Sequence, residues 1–305
     1  MVYLNKLRER PAYGWFVLTT FTVNYSILVI GFTTIGLLLP DISAELDLSP
    51  SEQGWLASAL LFANLFFEIP INWLLSRYRP WRVATMAFFA AALMVLLQGL
   101  SPTYALLIIA RIGLGIFYLS TQPPRTLIIL QWLPQKQIGL ANGVLFGLMG
   151  LIEGLGFIAI PVMLLWLGDW RNNLVAWAIV GGVGTLIWAV VGRDRASYKF
   201  VDALKPKERP PLSTLFKYKE PWILGIGLSG FAAGKMAYDT FFPTFTLSEY
   251  GTEITTAGLV IAICSMASMP SALGLTAHSF FSHNPSMVFI AAGIGMTTSY
   301  IGTLF

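Results

Sequence analysis

Of the 305 residues, 56% are apolar and only 11% are charged, against about 25% charged in an average soluble domain. Two His and one Cys exclude a Cys/His metal cluster and a disulfide framework, and no Gly-rich loop ending in Lys-Ser/Thr offers a nucleotide phosphate site. The net charge of +4 reflects membrane topology and not a nucleic-acid footprint, because of where the basic residues fall.

Nine apolar stretches approach or exceed the roughly 20 residues that span a bilayer. They cover residues 14–39, 54–75, 83–101, 104–131, 139–166, 171–192, 221–247, 255–280 and 286–305. The first is too long for a signal peptide and is closed by no small-residue cleavage site. Backbone groups inside a bilayer must be satisfied within each segment, so the spans are expected to be helices. Lys6, Arg8 and Arg10 precede span one, Arg77, Arg79 and Arg82 follow span two, and Lys136 follows span four. Arg193, Arg195, Lys199, Lys205, Lys207, Arg209, Lys217 and Lys219 lie between spans six and seven. The opposite loops carry Asp41, Glu45, Asp47, Glu52, Asp169, Glu249 and Glu253, with Arg171 as their one basic residue. This asymmetry predicts a multi-pass protein of the plasma or inner membrane with a cytoplasmic amino terminus. The long polar stretch is stiffened by Pro206, Pro210 and Pro211. It divides the chain into a six-helix bundle over 1–192, a cytoplasmic linker over 193–220, and three further helices over 221–305.

The layout repeats. Ile69-Pro70 followed by Arg77-Tyr78-Arg79-Pro80-Trp81-Arg82-Val83 returns as Met269-Pro270 followed by Asn284-Pro285-Ser286-Met287-Val288. Leu39-Pro40 and Phe242-Pro243 end the preceding helices alike. Internal repeats of apolar helices are a mark of secondary transporters. At this offset Phe305 corresponds to about Leu100, so the second copy is expected to lack three helices and the chain to be part of a longer protein.

These residues resemble the major facilitator superfamily, whose loop between helices two and three usually reads Gly-x-Leu-x-Asp-Arg-x-Gly-Arg-Arg. Here Asn72, Leu74, Ser76, Arg77 and Arg82 occupy that motif; Leu74 and Arg77 fit, Arg82 keeps the basic character, and the Gly and Asp positions are lost. Leu107-x-x-x-Arg111-x-x-x-Gly115 is similar to the family's helix-four pattern. Trp132-Leu133-Pro134 with Gly139-Leu140-Ala141-Asn142-Gly143 resembles its four-to-five junction, and Gly168-Asp169-Trp170-Arg171 its turn into helix six. The resemblance implies an all-α integral membrane fold of two bundles, with nine of twelve helices present, and a central cavity lined by helices one, four and seven. Gly150 and Gly154 lack the following Pro of the antiporter motif, which favours symport or uniport over exchange.

Charged side chains inside spans are costly and face cavities or one another. Glu68, Arg111, Arg125, Glu153, Lys235 and Asp239 sum to zero charge. At about 100° per residue, Arg111, Tyr118, Gln122 and Arg125 fall within roughly 60° of arc, a polar stripe about 21 Å long. Such a cationic stripe suits a carboxylate, and Arg111 is the first candidate for the clamp; the alternative for Arg125 is snorkelling toward headgroups. Lys235, Tyr238, Asp239 and Phe242 share one face of helix seven, where Lys235 and Asp239 are placed to pair. Glu153, in mid-helix five, and Asp239 are candidate proton-coupling sites; alternatively Glu153 is a counter-ion for Arg111. Thr20, Asn24, Gly31 and Thr34 share a face of helix one, with Tyr25 beside it, and are expected to look into the cavity. Gly143, Gly147, Gly150 and Gly154 allow close helix contact and point to packing at the bundle interface. Trp15, Trp55, Trp132, Trp166, Trp170 and Trp222 fall near span ends, as interface anchors do. Cys264 is expected to pack as a small apolar residue, and His278 and His283 without carboxylates make no metal site.

The sequence therefore predicts a secondary transporter of a small hydrophilic solute by alternating access, with an organic or inorganic anion favoured by Arg111 and Arg125. The partners are that solute, the lipid bilayer and a coupling proton, with no nucleic acid and no cofactor. A non-transporting membrane receptor of the same fold is the rival. A membrane enzyme would need a nucleophile–base or metal constellation, which two His far from paired carboxylates do not supply.

Overall fold

The computed structural model describes residues 11–75, 78–195, 218–267 and 269–270. Its elements are α1 (Pro11–Leu46), α2 (Pro50–Leu75), α3 (Pro80–Gly99), α4 (Tyr104–Leu119), α5 (Gln122–Trp132), a 3-10 turn at Gln135–Gln137, α6 (Ile138–Leu167), α7 (Trp170–Val191), α8 (Glu220–Tyr250) and α9 (Ile254–Met266). No strand occurs among the described residues. Among the described residues, six helical segments are long and apolar enough to cross a membrane: 12–46, 50–75, 80–99, 104–132, 138–167 and 170–191. They coincide with the first six expected spans. The seventh corresponds to α8, and α9 covers the first half of the eighth. The ninth span, linker residues 196–217, Ser76, Arg77, His278 and His283 lie outside the described residues.

Local chemistry fixes where the helices begin and end. Asp47, with φ at 49°, turns the chain out of α1, a left-handed conformation that Asp tolerates. Ser49 and Glu52 then form a reciprocal capping box: the Glu52 carboxylate accepts from the Ser49 amide at 2.9 Å, and the Ser49 hydroxyl accepts from the Glu52 amide at 3.3 Å. Prolines at 50 and 80 open α2 and α3, where a missing N–H costs nothing. Gly168 and Gly251, at φ of 68° and 60°, close α6 and α8 in the left-handed conformation that glycine adopts without strain.

Where one long fourth helix was expected over 104–131, the structure has two. Pro123 and Pro124 have no amide hydrogen to donate to the carbonyls of Leu119 and Ser120, so the helical ladder cannot pass through them. Ser120 and Thr121 form the joint, and α5 restarts at Gln122.

Helix α1 is the centre of the packing, touching α6, α7 and α8 along its length, while α3 lies on α7, α2 on α4, and α9 on α6. Phe21, Phe88 and Trp188 interlock where α1, α3 and α7 meet, with ring centroids 5.2 Å and 5.3 Å from Phe21. Lipid tails are as apolar as these side chains, so close fit and small residues carry the association. Gly36 shows this most sharply. A Cβ there would strike the Asp239 carbonyl oxygen and lie 2.8 Å from the Thr240 Cα, so α1 and α8 touch backbone to backbone.

Each end of the helices has its own staple. At the acidic end, Glu45 pairs with Arg171 and accepts from the Trp170 indole at 2.6 Å, while Arg171 also donates to the Ser101 carbonyl. At the basic end, Asp194 accepts from the Trp81 amide at 3.1 Å, capping α3. Burial raises the Asp194 carboxyl above its ordinary 3.8, against the Trp81 hydrogen bond and the charges of Arg79 and Arg82. Trp132 donates to the Arg193 carbonyl at 3.2 Å. Two of the expected interface anchors are corrected here: Trp132 and Trp170 are buried and tie helix ends together, whereas Trp55 and Trp166 are exposed. Cys264 is likewise exposed on α9 and does not pack in the core. Sequence position alone does not tell the inward face of a helix end from the outward one.

Candidate functional site

The broken fourth helix builds a polar belt. Tyr118, in the last turn of α4, and Gln122, which opens α5, both reach Tyr25 on α1. The Tyr25 hydroxyl donates to the Tyr118 oxygen at 2.7 Å and accepts from the Gln122 amide at 3.0 Å. The Phe32 ring lies tilted beside Tyr118, centroids 5.5 Å apart. Arg125 follows one turn along α5, its guanidinium over Phe146 at 4.3 Å and near the Tyr25 ring at 5.8 Å. The lining of an adjacent cavity of about 250 Å³ includes Gln122, Arg125, Thr126, Asn142 and Phe146. Arg125 is half-buried and forms no ion pair among the described residues.

Arg111 has a different setting. Its side chain is 1% exposed. Nε donates to the Leu56 carbonyl of α2 at 2.6 Å and Nη1 to the Phe32 carbonyl of α1 at 3.2 Å. The fork thus binds three helices together, a use that needs Arg and not Lys. Of the two arginines in the stripe, Arg111 is engaged by the backbone and Arg125 faces the cavity.

A second charged group is contributed by α6 and α8, which both pack on α1. Lys235 Nζ is 2.5 Å from Asp239 Oδ2, one turn apart on α8. Glu153 on α6 is 4% exposed, and its charged neighbours are Lys235 and Asp239. Arg111 is not among them, so the expected alternative of an Arg111 counter-ion is corrected: backbone carbonyls hold that guanidinium instead. Tyr118 lies within electrostatic reach of Glu153, Arg125 and Lys235. Tyr238 stacks on Phe242, centroids 4.6 Å apart, on the same side of α8.

Other candidates fall elsewhere. Asn24 does not face α4 and α8. Its Oδ1 lies against Gly184 of α7, and it borders a void of about 10 Å³ with Trp177 and Thr185. The side-chain amide nitrogen has no hydrogen-bond partner there. Tyr25, Phe32 and Gly36 share the face that meets α4 and α8, about 100° around from Asn24. A polar stripe marks a special face but not its neighbour, and the glycines of α7 make room for this one. Gly31 likewise meets Val95 of α3. Thr20 and Thr34 bond back to the Phe16 and Ile30 carbonyls. A Cβ at Gly154 would meet Met266 of α9 at 2.6 Å and one at Gly147 would meet Met269, just beyond α9, at 3.1 Å, while Gly143 and Gly150 are buried within α6. In the loop-two signature, Leu74 and Arg82 are exposed and Asn72 is partly buried; the carboxylate the motif lacks is supplied near the same helix end by Asp194.

Sequence reasoning missed Asn142, Thr126 and Phe146 as partners of Arg125. Their signal was present: Asn142 and Phe146 are four residues apart and so share a face of α6, and Thr126 is next to Arg125. Nothing in the sequence indicates which helix that face meets.

A bundle of membrane-length helices around a polar belt defines a polytopic membrane protein. Residues 21–305 match the Major Facilitator Superfamily, and the chain belongs to that family. It is 23% identical over 235 residues to the probable L-galactonate transporter of Escherichia coli K12, covering 73% of this chain and 52% of the relative. To the probable galactarate/D-glucarate transporter GarP of the same strain it is 23% identical, covering 75% and 58%. The probable sulfoacetate transporter SauU of Cupriavidus necator is 22% identical, with 86% and 64% covered. The chain thus spans little more than half the length of these relatives. The crystal structure of a bacterial homologue of the human lysosomal transporter Spinster, inward-facing and unoccupied, superposes with a TM-score of 0.67 at 20% identity, covering 90% of this chain and 64% of that one.

Proposed function

We propose that this chain carries the solute site of a secondary transporter for a small hydroxylated organic anion of the sugar-acid type, driven by proton symport. The observation that supports this best is Arg125: a half-buried guanidinium without a carboxylate partner among the described residues, beside a cavity that also presents Gln122, Thr126 and Asn142. A guanidinium holds a carboxylate through two parallel hydrogen bonds, and neighbouring amides and hydroxyls complement a polyol chain. The names of the relatives, which specify galactonate, galactarate, glucarate and sulfoacetate, favour the same chemistry. Glu153 and Asp239, sharing one lysine, are the groups for the coupling proton, because a desolvated carboxylate is costly unless paired or protonated. In this scheme the halves built around α1–α7 and from α8 onward rock about the solute, with the basic end in the cytoplasm.

The test is transport by the purified protein in liposomes, with L-galactonate, D-glucarate, galactarate and sulfoacetate as solutes and an inward proton gradient as the driving force. Accumulation of at least one acid that collapses with a protonophore supports the proposal. Binding without any accumulation or counterflow favours a receptor, and indifference to all four acids refutes the solute class.

A further inference from the structure

We propose that Phe146 is the positioning residue of the anion site: its ring keeps the Arg125 guanidinium in the cavity, ready for a carboxylate. This deepens the proposed anion transport and rests on it. The cavity of about 250 Å³ is a slot between two helix faces. Gln122, Arg125, Thr126 and Ile129 recur at helical spacing on α5, and Ile138, Asn142 and Phe146 lie one turn apart on α6. At about 1.5 Å per residue, Arg125 is about 10 Å from the Trp132 end of α5 and Phe146 about 12 Å from the Ile138 start of α6, so the two stand at similar depth. The structure brings them together, with the guanidinium carbon over the Phe146 ring, 4.3 Å from its centroid. Phe146 is 45% exposed, as the wall of an open slot is. Helix α5 packs mainly on α3 and only lightly on α6, so a side-chain contact, and not close backbone packing, spans the slot.

A cation over a ring face is attracted by the ring quadrupole, and the ring takes up no N–H donor in a conventional hydrogen bond. Arg125, without an ion pair among the described residues, thereby keeps its charge and its N–H donors for a ligand. Arg111 shows the contrast, because its donors are spent on the Leu56 and Phe32 carbonyls. The position that competes with the slot is the one long basic side chains take near helix ends, reaching toward the headgroups. An anion binds only the fraction of molecules whose guanidinium is in the slot, and its apparent affinity falls with that fraction. The ring attraction keeps that fraction high. Weakening it through the electrons of the ring, at constant shape, therefore weakens anion binding, although Phe146 itself need not touch the carboxylate.

The experiment replaces Phe146 by mono-, di- and trifluorinated phenylalanine, introduced by stop-codon suppression, and measures binding of L-galactonate and D-glucarate to the monodisperse protein by isothermal titration calorimetry. Fluorine withdraws electrons from the ring face with little change of shape, so packing alone predicts no trend. Affinity should fall stepwise with the number of fluorines, by about fivefold in all. A ring should also rescue the site: Phe146→Leu should lose at least about fivefold, and Phe146→Tyr should recover it. A flat fluorine series, a Phe146→Leu variant that binds as the parent does, or a Phe146→Tyr variant as weak as Phe146→Leu would each overturn the role of Phe146 while anion transport stands. If the parent binds neither acid, the anion-transport reading falls and this role falls with it.

Discussion

Replacing Arg111 by Lys separates two roles for the most deeply buried cation of the belt. In the structure Arg111 joins α4 to carbonyls of α1 and α2 through two hydrogen bonds, at 2.6 Å and 3.2 Å. A hydrogen bond from a charged donor contributes roughly 1.5–3 kcal/mol. Lysine keeps the charge but not the fork, and its single ammonium cannot reproduce both directions. Arg111→Lys should thus lose about one bond, roughly 1.5–3 kcal/mol, and Arg111→Ala both bonds plus packing, roughly 3–5 kcal/mol. The assay is denaturation of the purified protein in detergent, alongside solute affinity measured on the monodisperse fraction. Stability should fall in that order, while the folded fraction of Arg111→Lys keeps its affinity within about threefold, less than 1 kcal/mol. A variant as stable as the parent that no longer binds solute would show the reasoning wrong. Arg111 would then be the carboxylate clamp that the helix-four pattern first suggested.

Three further outcomes are expected. Glu153→Gln should abolish accumulation driven by a pH gradient while leaving solute counterflow measurable, since it keeps shape and removes titration; undiminished proton-driven accumulation excludes Glu153 as the coupling site. Gly36→Val should force α1 and α8 apart, at a cost of at least about 1–3 kcal/mol, and accelerate labelling of a cysteine introduced at Thr240; unchanged labelling and stability would place that contact elsewhere. Asp194 has a raised carboxyl pKa, so its ionisation costs stability that is fully present below the ordinary 3.8 and lost as pH rises through the raised value. Asp194→Asn keeps an acceptor for the α3 amide and should be at least as stable as the parent at pH 7, with the difference shrinking on acidification, whereas Asp194→Ala should lose about 1 kcal/mol of capping; a pH-independent difference for the Asn variant would contradict the burial argument.

What the sequence determined by itself is what local physics controls. Continuous apolar length fixes the first six spans, because a bilayer leaves the backbone no partner outside its own helix. Gly168, Gly251 and the Ser49–Glu52 box mark helix ends through their own backbone chemistry. The apolar run over 104–131 predicts one helix although Pro123-Pro124 breaks it, and only the fold shows that Tyr118 and Gln122 both meet Tyr25 at that break. The stripe of Arg111, Tyr118, Gln122 and Arg125 is also legible, since 3.6-residue periodicity places them on one side. The structure alone decided what that stripe faces. A helix face is a local property, but its neighbour depends on how every other helix packs, and in lipid that is set by small residues and shape. Thus Arg111 meets carbonyls of α1 and α2 while Arg125 meets a cavity, and Asn24 turns to α7 while Tyr25, one residue on, turns to the belt. Glu153 likewise has Lys235 and Asp239 as its charged neighbours because α6 and α8, eighty residues apart along the chain, both pack on α1.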